Sequence, residues 1–153
     1  MILRHDMIEC FVVRPVGASH EFLQIRRGSG QYMQGLWHTV AGKIEPGETA
    51  VQAVLRELGE ETGLQPHELY SLDRIGSFYM PAIDTLWHCI LFCAVVAPDD
   101  PVHINDEHDA FRWISANEAD RMFAWPSDRE SVRQIVQEIC NNGSAKAFMR
   151  VAL

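Results

Sequence analysis

A chain of 153 residues is most naturally a single domain, residues 1–153, long enough to bury an ordinary core. An apolar content of 47% with four tryptophans excludes a disordered chain, and 21 acidic against 13 basic residues give a formal charge of −8. That balance excludes loose binding to a nucleic-acid polymer, which relies on basic surface, and suits a phosphate ligand only where cations bridge the two sets of negative charge.

The first ten residues, MILRHDMIEC, carry charges where a signal peptide needs an apolar core, so no targeting segment is expected. Residues 8–16 form an apolar, β-branched run that reads as a strand. Gly17, Ala18 and Ser19 make a turn, and residues 21–27 supply a second strand, as in a hairpin. Residues 28–35 are a Gly-rich polar loop, and 37–41 a short strand. Residues 42–48, with Pro46 and Gly47, read as another loop. Thr49 then stands at an N-cap with Gln52 three residues on, and Gly63 sits where a helix ends on a left-handed residue.

Residues 72–80 and 85–96 read as two strands separated around Pro81, followed by a polar loop over 98–105 and a strand over 110–114. Ser115 with Glu118, and Ser127 with Glu130, are capping-box pairs opening a short and a longer helix. Val132, Ile135, Val136 and Ile139 form the apolar stripe of the second. The last ten residues add a strand or a loose tail. The longest apolar stretch, 86–97, is too short to span a bilayer, so no membrane association is expected. Cys10, Cys89, Cys93 and Cys140 are scattered and read as buried free thiols of a reducing, cytoplasmic compartment. Trp87, Trp113 and Trp125 read as packing residues. The pattern by itself supports mixed α and β.

The central helix carries the chemistry. At roughly 100° per residue, Val51, Val54, Leu55 and Leu58 share one face while Glu57, Glu60 and Glu61 share a neighbouring stripe. Glu57 and Glu61 are four apart and repel as side-by-side neighbours. Three carboxylates on one stripe are either a solvated acidic face or a grip for a hard divalent cation.

The run GKIEPGETAVQAVLRELGEETGL, residues 42–64, decides between them. It resembles the Nudix box, G-x5-E-x7-R-E-U-x-E-E-x-G-U. Gly42, Glu48, Arg56, Glu57, Leu58, Glu60, Glu61, Gly63 and Leu64 fill its nine specified positions. The resemblance implies an α/β/α sandwich with a mixed β-sheet. It also implies Mg²⁺- or Mn²⁺-dependent hydrolysis of a phosphoanhydride bond in a nucleoside diphosphate derivative. A cation of that kind neutralises phosphate oxygens and acidifies the attacking water, and a carboxylate takes the proton. Glu57, Glu60 and Glu61 match the motif's metal-binding carboxylates, and the Gly42 carbonyl a backbone ligand. Arg56 cannot ligate a cation; its guanidinium fork suits orienting carboxylates such as Glu48, or a plain surface ion pair.

Outside the box, Glu107 stands where many family members place a further acidic residue for metal or base. Asp106, Glu107 and Asp109 read equally well as ordinary loop polarity, and His108 is a candidate for proton transfer with a surface residue the commoner reading of a lone loop histidine. Arg26 and Arg27 end the second strand as candidates for distal phosphates, and one of them must point away, since strand neighbours face opposite sides. Tyr32 and Trp37 are candidates for stacking on a base, with core packing the competing reading of Trp37; His38 reads as structural. FLQIRR, GLWHTVAGKIEPGET and EHDAFRWI are similar to the dATP and dihydroneopterin-triphosphate pyrophosphohydrolase branch. That similarity implies a (deoxy)nucleoside or pterin triphosphate cleaved to monophosphate and pyrophosphate. Tyr79 and Pro81 lie near markers of the dinucleoside-polyphosphate and ADP-ribose branches without matching their offsets. A binding module that has lost hydrolysis is the alternative of another class, although such modules usually carry a degenerate box. Many relatives pair as homodimers, and nothing in the sequence marks an interface.

Overall fold

Eight strands and four helices build the chain in the computed structural model, which describes residues 1–153. Strands β1 (Ile2–Val16) and β6 (Thr85–Val95) run parallel through the middle of the sheet, and β5 (Glu68–Met80) lies antiparallel beyond β6. The other edge of β1 is shared. Its C-terminal half pairs with β2 (Ser19–Arg27) and its N-terminal half with β4 (Val40–Lys43). Where β2 leaves β1, it is flanked by β3 (Trp37–His38) and β7 (His108–Ser115). A two-residue β8 (Arg150–Val151) pairs with β5.

Side-chain alternation along β1 sorts the core into two layers. Ile8, Cys10 and Val12 point to one face and pack with Val54 and Leu58 of α1 (Ala50–Thr62). Phe11 and Val13 point to the other and pack with Ala119 of α2 (Ala116–Met122) and Val132 of α3 (Pro126–Gln134). Helices therefore cover both faces of a mixed sheet, and this is the α/β/α sandwich expected. A six-residue π-helical segment, Ile135–Cys140, prolongs α3, and a short α4 (Lys146–Met149) precedes β8.

Helix α1 forms where its sequence signals put it. The Thr49 side chain accepts from the Gln52 amide while the Gln52 side chain accepts from the Thr49 amide. Gly63 stops the helix at φ 70°, a conformation that strains any residue with a Cβ. Ser115 and Glu118 likewise make a complete capping box for α2. The expectation for α3 is corrected. Trp125 is its N-cap and Pro126 its first residue, because proline's fixed φ and missing N–H suit the first turn, so Ser127 and Glu130 make no capping box. Trp125 is exposed rather than packed. Strands β1 and β5 start six and four residues earlier than expected, and Gly42 and Lys43 lie inside β4 rather than in a loop. The four cysteines are free thiols. No helix is long and apolar enough to cross a membrane.

Candidate active site

Helix α1 lies against β4, and there the box residues meet. Gly42 pairs with Ile8, so the Cα hydrogen in its side-chain position faces α1. A Cβ at this position would stand 2.1 Å from Glu57 Oε1. Only glycine lets that carboxylate lie on the strand backbone. One turn further on, Glu61 is 3% exposed, and its Oε2 accepts from the Ala41 amide at 3.4 Å. Burial, reinforced by the charge of Glu57, pushes the Glu61 carboxyl up to about 9. Burial also raises Glu57, opposed by its bond to Arg56. Glu60 stays on the solvent side of the same stripe.

Arg56 braces this arrangement. Its Nε and Nη2 donate to the two oxygens of Glu48 at 2.9 and 3.0 Å, a bidentate pair. Nη1 reaches Glu57 at 2.8 Å and Glu60 at 3.3 Å, and Nη2 also donates to the Lys43 carbonyl at 2.9 Å. One guanidinium thus ties the loop before α1, the helix and the end of β4 together. Glu48, held first by Arg56 and then by the Glu45 amide, is kept below the usual carboxylate range.

Glu107 arrives from the far side. Strand β7 pairs with β2 up to Arg27 and His108, which places Glu107 beside the Arg27 guanidinium at 3.6 Å. The charge of Glu107 raises both Glu57 and Glu61, and that of Arg27 lowers Glu61, so the four share one electrostatic neighbourhood. Arg26 takes the opposite side of β2. It pairs with Asp109 at 2.6 Å and lies 5.5 Å over the Trp37 ring, whose face Arg112 also covers at 4.0 Å. The structure therefore brings Arg27 to the carboxylates and turns Arg26 and Trp37 away. Tyr32 is 64% exposed in the loop that follows β2, where its carbonyl accepts from Arg27. Asp106 is exposed. Tyr79 donates to Asp84 at the turn between β5 and β6, beside Pro81.

The donor set fits a hard divalent cation. It comprises the carboxylates of Glu57, Glu60, Glu61 and Glu107 with the Gly42 carbonyl, and it includes a buried carboxyl whose charged form needs a positive partner. No three of these side chains converge on one point, and Glu57 and Glu60 are both bonded to Arg56.

Sequence reasoning took His38 and His108 singly and missed that they pair next to this site. His108 is 5% exposed rather than a surface residue, and its ring stacks on His38 with centroids 5.1 Å apart. Burial pushes His38 down to about 3 and His108 to about 4, so both are neutral.

The NUDIX domain family model matches residues 5–135. An octanoyltransferase of Myxococcus xanthus is 34% identical over 125 residues, 80% of this chain and 34% of that protein. The chain thus spans about a third of that relative's length. The asymmetrical bis(5'-nucleosyl)-tetraphosphatase of Rattus norvegicus is 25% identical over 79% of this chain and 82% of its own length. Among solved structures, the E. coli dihydroneopterin triphosphate pyrophosphohydrolase superposes with a TM-score of 0.69 at 22% identity, covering 89% of this chain and 98% of that one. At that identity the likeness is one of fold.

Proposed function

The chain belongs to the NUDIX domain family, and from that premise we propose that it is a metal-dependent pyrophosphohydrolase. It breaks a phosphoanhydride bond in a nucleotide-like substrate. The observation that carries this reading is the seating of Glu57 against Gly42, with Glu61 buried beside it and Arg56 bracing the stripe. A helix that merely displayed charge to solvent would keep its carboxylates outside.

Glu57, Glu60, Glu61 and Glu107, with the Gly42 carbonyl, would hold Mg²⁺ or Mn²⁺. A cation of that kind neutralises phosphate oxygens and lowers the pKa of the attacking water. The chain's own residues do the rest. Arg27 stands beside Glu107 as the cation for a distal phosphate, since Arg26 is committed to Asp109 and Trp37. Glu48 has both oxygens held by Arg56, so it positions the helix and leaves proton transfer to Glu60, Glu61 or Glu107. The base of a nucleotide stacks on Tyr32, the exposed aromatic of the neighbouring loop, and not on Trp37, whose ring is covered by two guanidinium groups.

The substrate class favoured is a (deoxy)nucleoside or pterin triphosphate, cleaved to monophosphate and pyrophosphate. Its support is the sequence similarity around the box, together with the fold shared with the dihydroneopterin triphosphate enzyme. A dinucleoside polyphosphate is the second reading, supported by the rat tetraphosphatase, which this chain nearly spans. The test is pyrophosphate and orthophosphate release with Mg²⁺ across a panel, with Glu57→Gln as control. The panel holds nucleoside triphosphates, dihydroneopterin triphosphate, ADP-ribose, nucleotide sugars and diadenosine polyphosphates. Pyrophosphate from one triphosphate, absent in the variant, is the result expected. Turnover confined to a dinucleotide or ADP-ribose overturns the substrate class, and turnover of nothing with nucleotide still bound favours a binding module.

A further inference from the structure

Strand β2 runs between β3 and β7, pairing Ile25 with His38 on one edge and Arg27 with His108 on the other. The two imidazoles meet over β2 with their Nε2 atoms 3.0 Å apart. The Asn105 side-chain oxygen lies 2.8 Å from His108 Nδ1. An amide oxygen can only accept, so His108 carries its proton on Nδ1 and its Nε2 is an acceptor. His38 must then donate from Nε2. The direction of the whole run is set: His38 to His108 to Asn105.

Glu107 sits inside that run. Its amide donates to the same Asn105 oxygen at 3.3 Å, and its carbonyl accepts from the Gly28 amide at 2.8 Å. The His108 amide closes the turn on the Asn105 carbonyl at 3.1 Å. Three bonds therefore fix the Glu107 backbone, and the side chains that shape its turn end on His38. Four residues after His38 comes Gly42, where Glu57 is seated, and Thr39 between them is pinned by its hydroxyl to the Cys10 carbonyl. The two halves of the carboxylate site, one on α1 and β4 and one on the turn before β7, share no side-chain bond; one backbone bond, from the His103 amide to the Thr62 carbonyl at 2.8 Å, ties the end of α1 to the loop just upstream of that turn.

We propose that the His38–His108 hydrogen bond is the positioning link between those halves: it sets how far Glu107 reaches toward the cation held by Glu57 and Glu61. His38 is the donor, His108 the relay and Asn105 the acceptor that shapes the turn. Neither histidine touches the substrate. This assignment rests on the metal-dependent reading above. Side chains that orient a ligand from behind typically matter by 10–100-fold in metal affinity or activity, and a link one residue removed belongs at the lower end.

The experiment compares His38→Leu, which keeps volume and removes the donor, with His38→Gln, whose amide nitrogen can donate to His108. Mn²⁺ affinity by electron paramagnetic resonance and kcat are read for each, with Tm as the check on folding. Proton-nitrogen correlation spectra of the wild type report the tautomers. The expected result is an Nε2–H tautomer at His38 and Nδ1–H at His108, with Mn²⁺ binding about tenfold weaker in His38→Leu and largely restored in His38→Gln. Combined with Glu107→Gln, His38→Leu should add nothing further, because both act on one ligand. Equal behaviour of Leu and Gln, or a loss that adds in full to that of Glu107→Gln, overturns the assignment. If Mn²⁺ binds the wild type no more tightly than it binds Glu57→Gln, the metal reading itself has failed and the link falls with it. Weakening by Glu57→Gln without weakening by His38→Leu overturns the link alone.

Discussion

At the scale of single residues, the site depends on one missing methyl group. Gly42 has an ordinary strand conformation and keeps its ladder place opposite Ile8, so alanine suits the backbone there. The alanine Cβ, however, falls 2.1 Å from Glu57 Oε1. Gly42→Ala should therefore leave the fold in place while driving Glu57 off the strand, weakening Mn²⁺ binding and kcat/KM by roughly 10–100-fold. Metal titration and a thermal melt on the same sample separate the two effects; a collapsed Tm would mean the residue serves the sheet instead. Arg26 and Arg27 make a second contrast, since adjacent strand residues take opposite faces. Arg27→Ala removes the cation beside Glu107, and a charge-assisted bond to phosphate of about 1.5–3 kcal/mol corresponds to a KM increase of about tenfold or more. Arg26→Ala breaks an exposed pair with Asp109 and a contact over the Trp37 ring, both on the side of β2 away from the carboxylates, and should leave KM alone. The reverse pattern in steady-state kinetics would move the phosphate to the other side of β2.

At the scale of elements, α1 is the piece most fully determined by local signals. Its cap, stop and apolar stripe all lie within residues 49–63, and Thr49→Ala should cost about 1 kcal/mol, seen as a Tm drop of roughly 2–4 °C for a chain of this length. Loss of activity well beyond that fall in stability would show that the cap also positions Glu57. This is why the helix and the box were legible from sequence, and why other parts were not. The first residues of β1 are exposed and of mixed polarity, and they are held in a strand by their parallel partner β6 rather than by their own pattern. The start of β5 is fixed by β6 and by β8 at the far end of the chain. Glu107 was marked by the family resemblance alone, with ordinary loop polarity an equal reading; the β2–β7 ladder is what carries it to Arg27. The His38–His108 bond spans 70 residues, and no spacing rule reaches that far.

At the scale of the whole molecule, carboxyl groups are buried under helices on both faces of an acidic protein. On the face opposite α1, Glu9 of β1 and Asp128 in the first turn of α3 lie together, with Arg74 of β5 near both. Arg74 is largely engaged elsewhere, donating to the Ser127 carbonyl and the Ser131 hydroxyl and pairing with Glu130. Burial pushes Glu9 up to about 8, helped by the charge of Asp128, and raises Asp128 as well. A carboxyl raised in the folded state binds its proton more tightly there than in the unfolded chain. Its contribution to stability is full below the ordinary carboxylate range near pH 4 and is lost as the pH rises toward 8. Glu61, raised to about 9, acts in the same direction in the metal-free protein. Denaturant unfolding in EDTA should thus give a lower stability at pH 8 than at pH 5.5. Glu9→Gln keeps the shape of the protonated form and removes its titration. It should flatten part of that slope and raise stability at pH 8 by on the order of 1 kcal/mol or more, with a smaller gain at pH 5.5. A variant that is less stable than wild type at pH 8 would show instead that Glu9 is ionised in the fold and held by Arg74, and would reverse the sign of the slope assigned to this face.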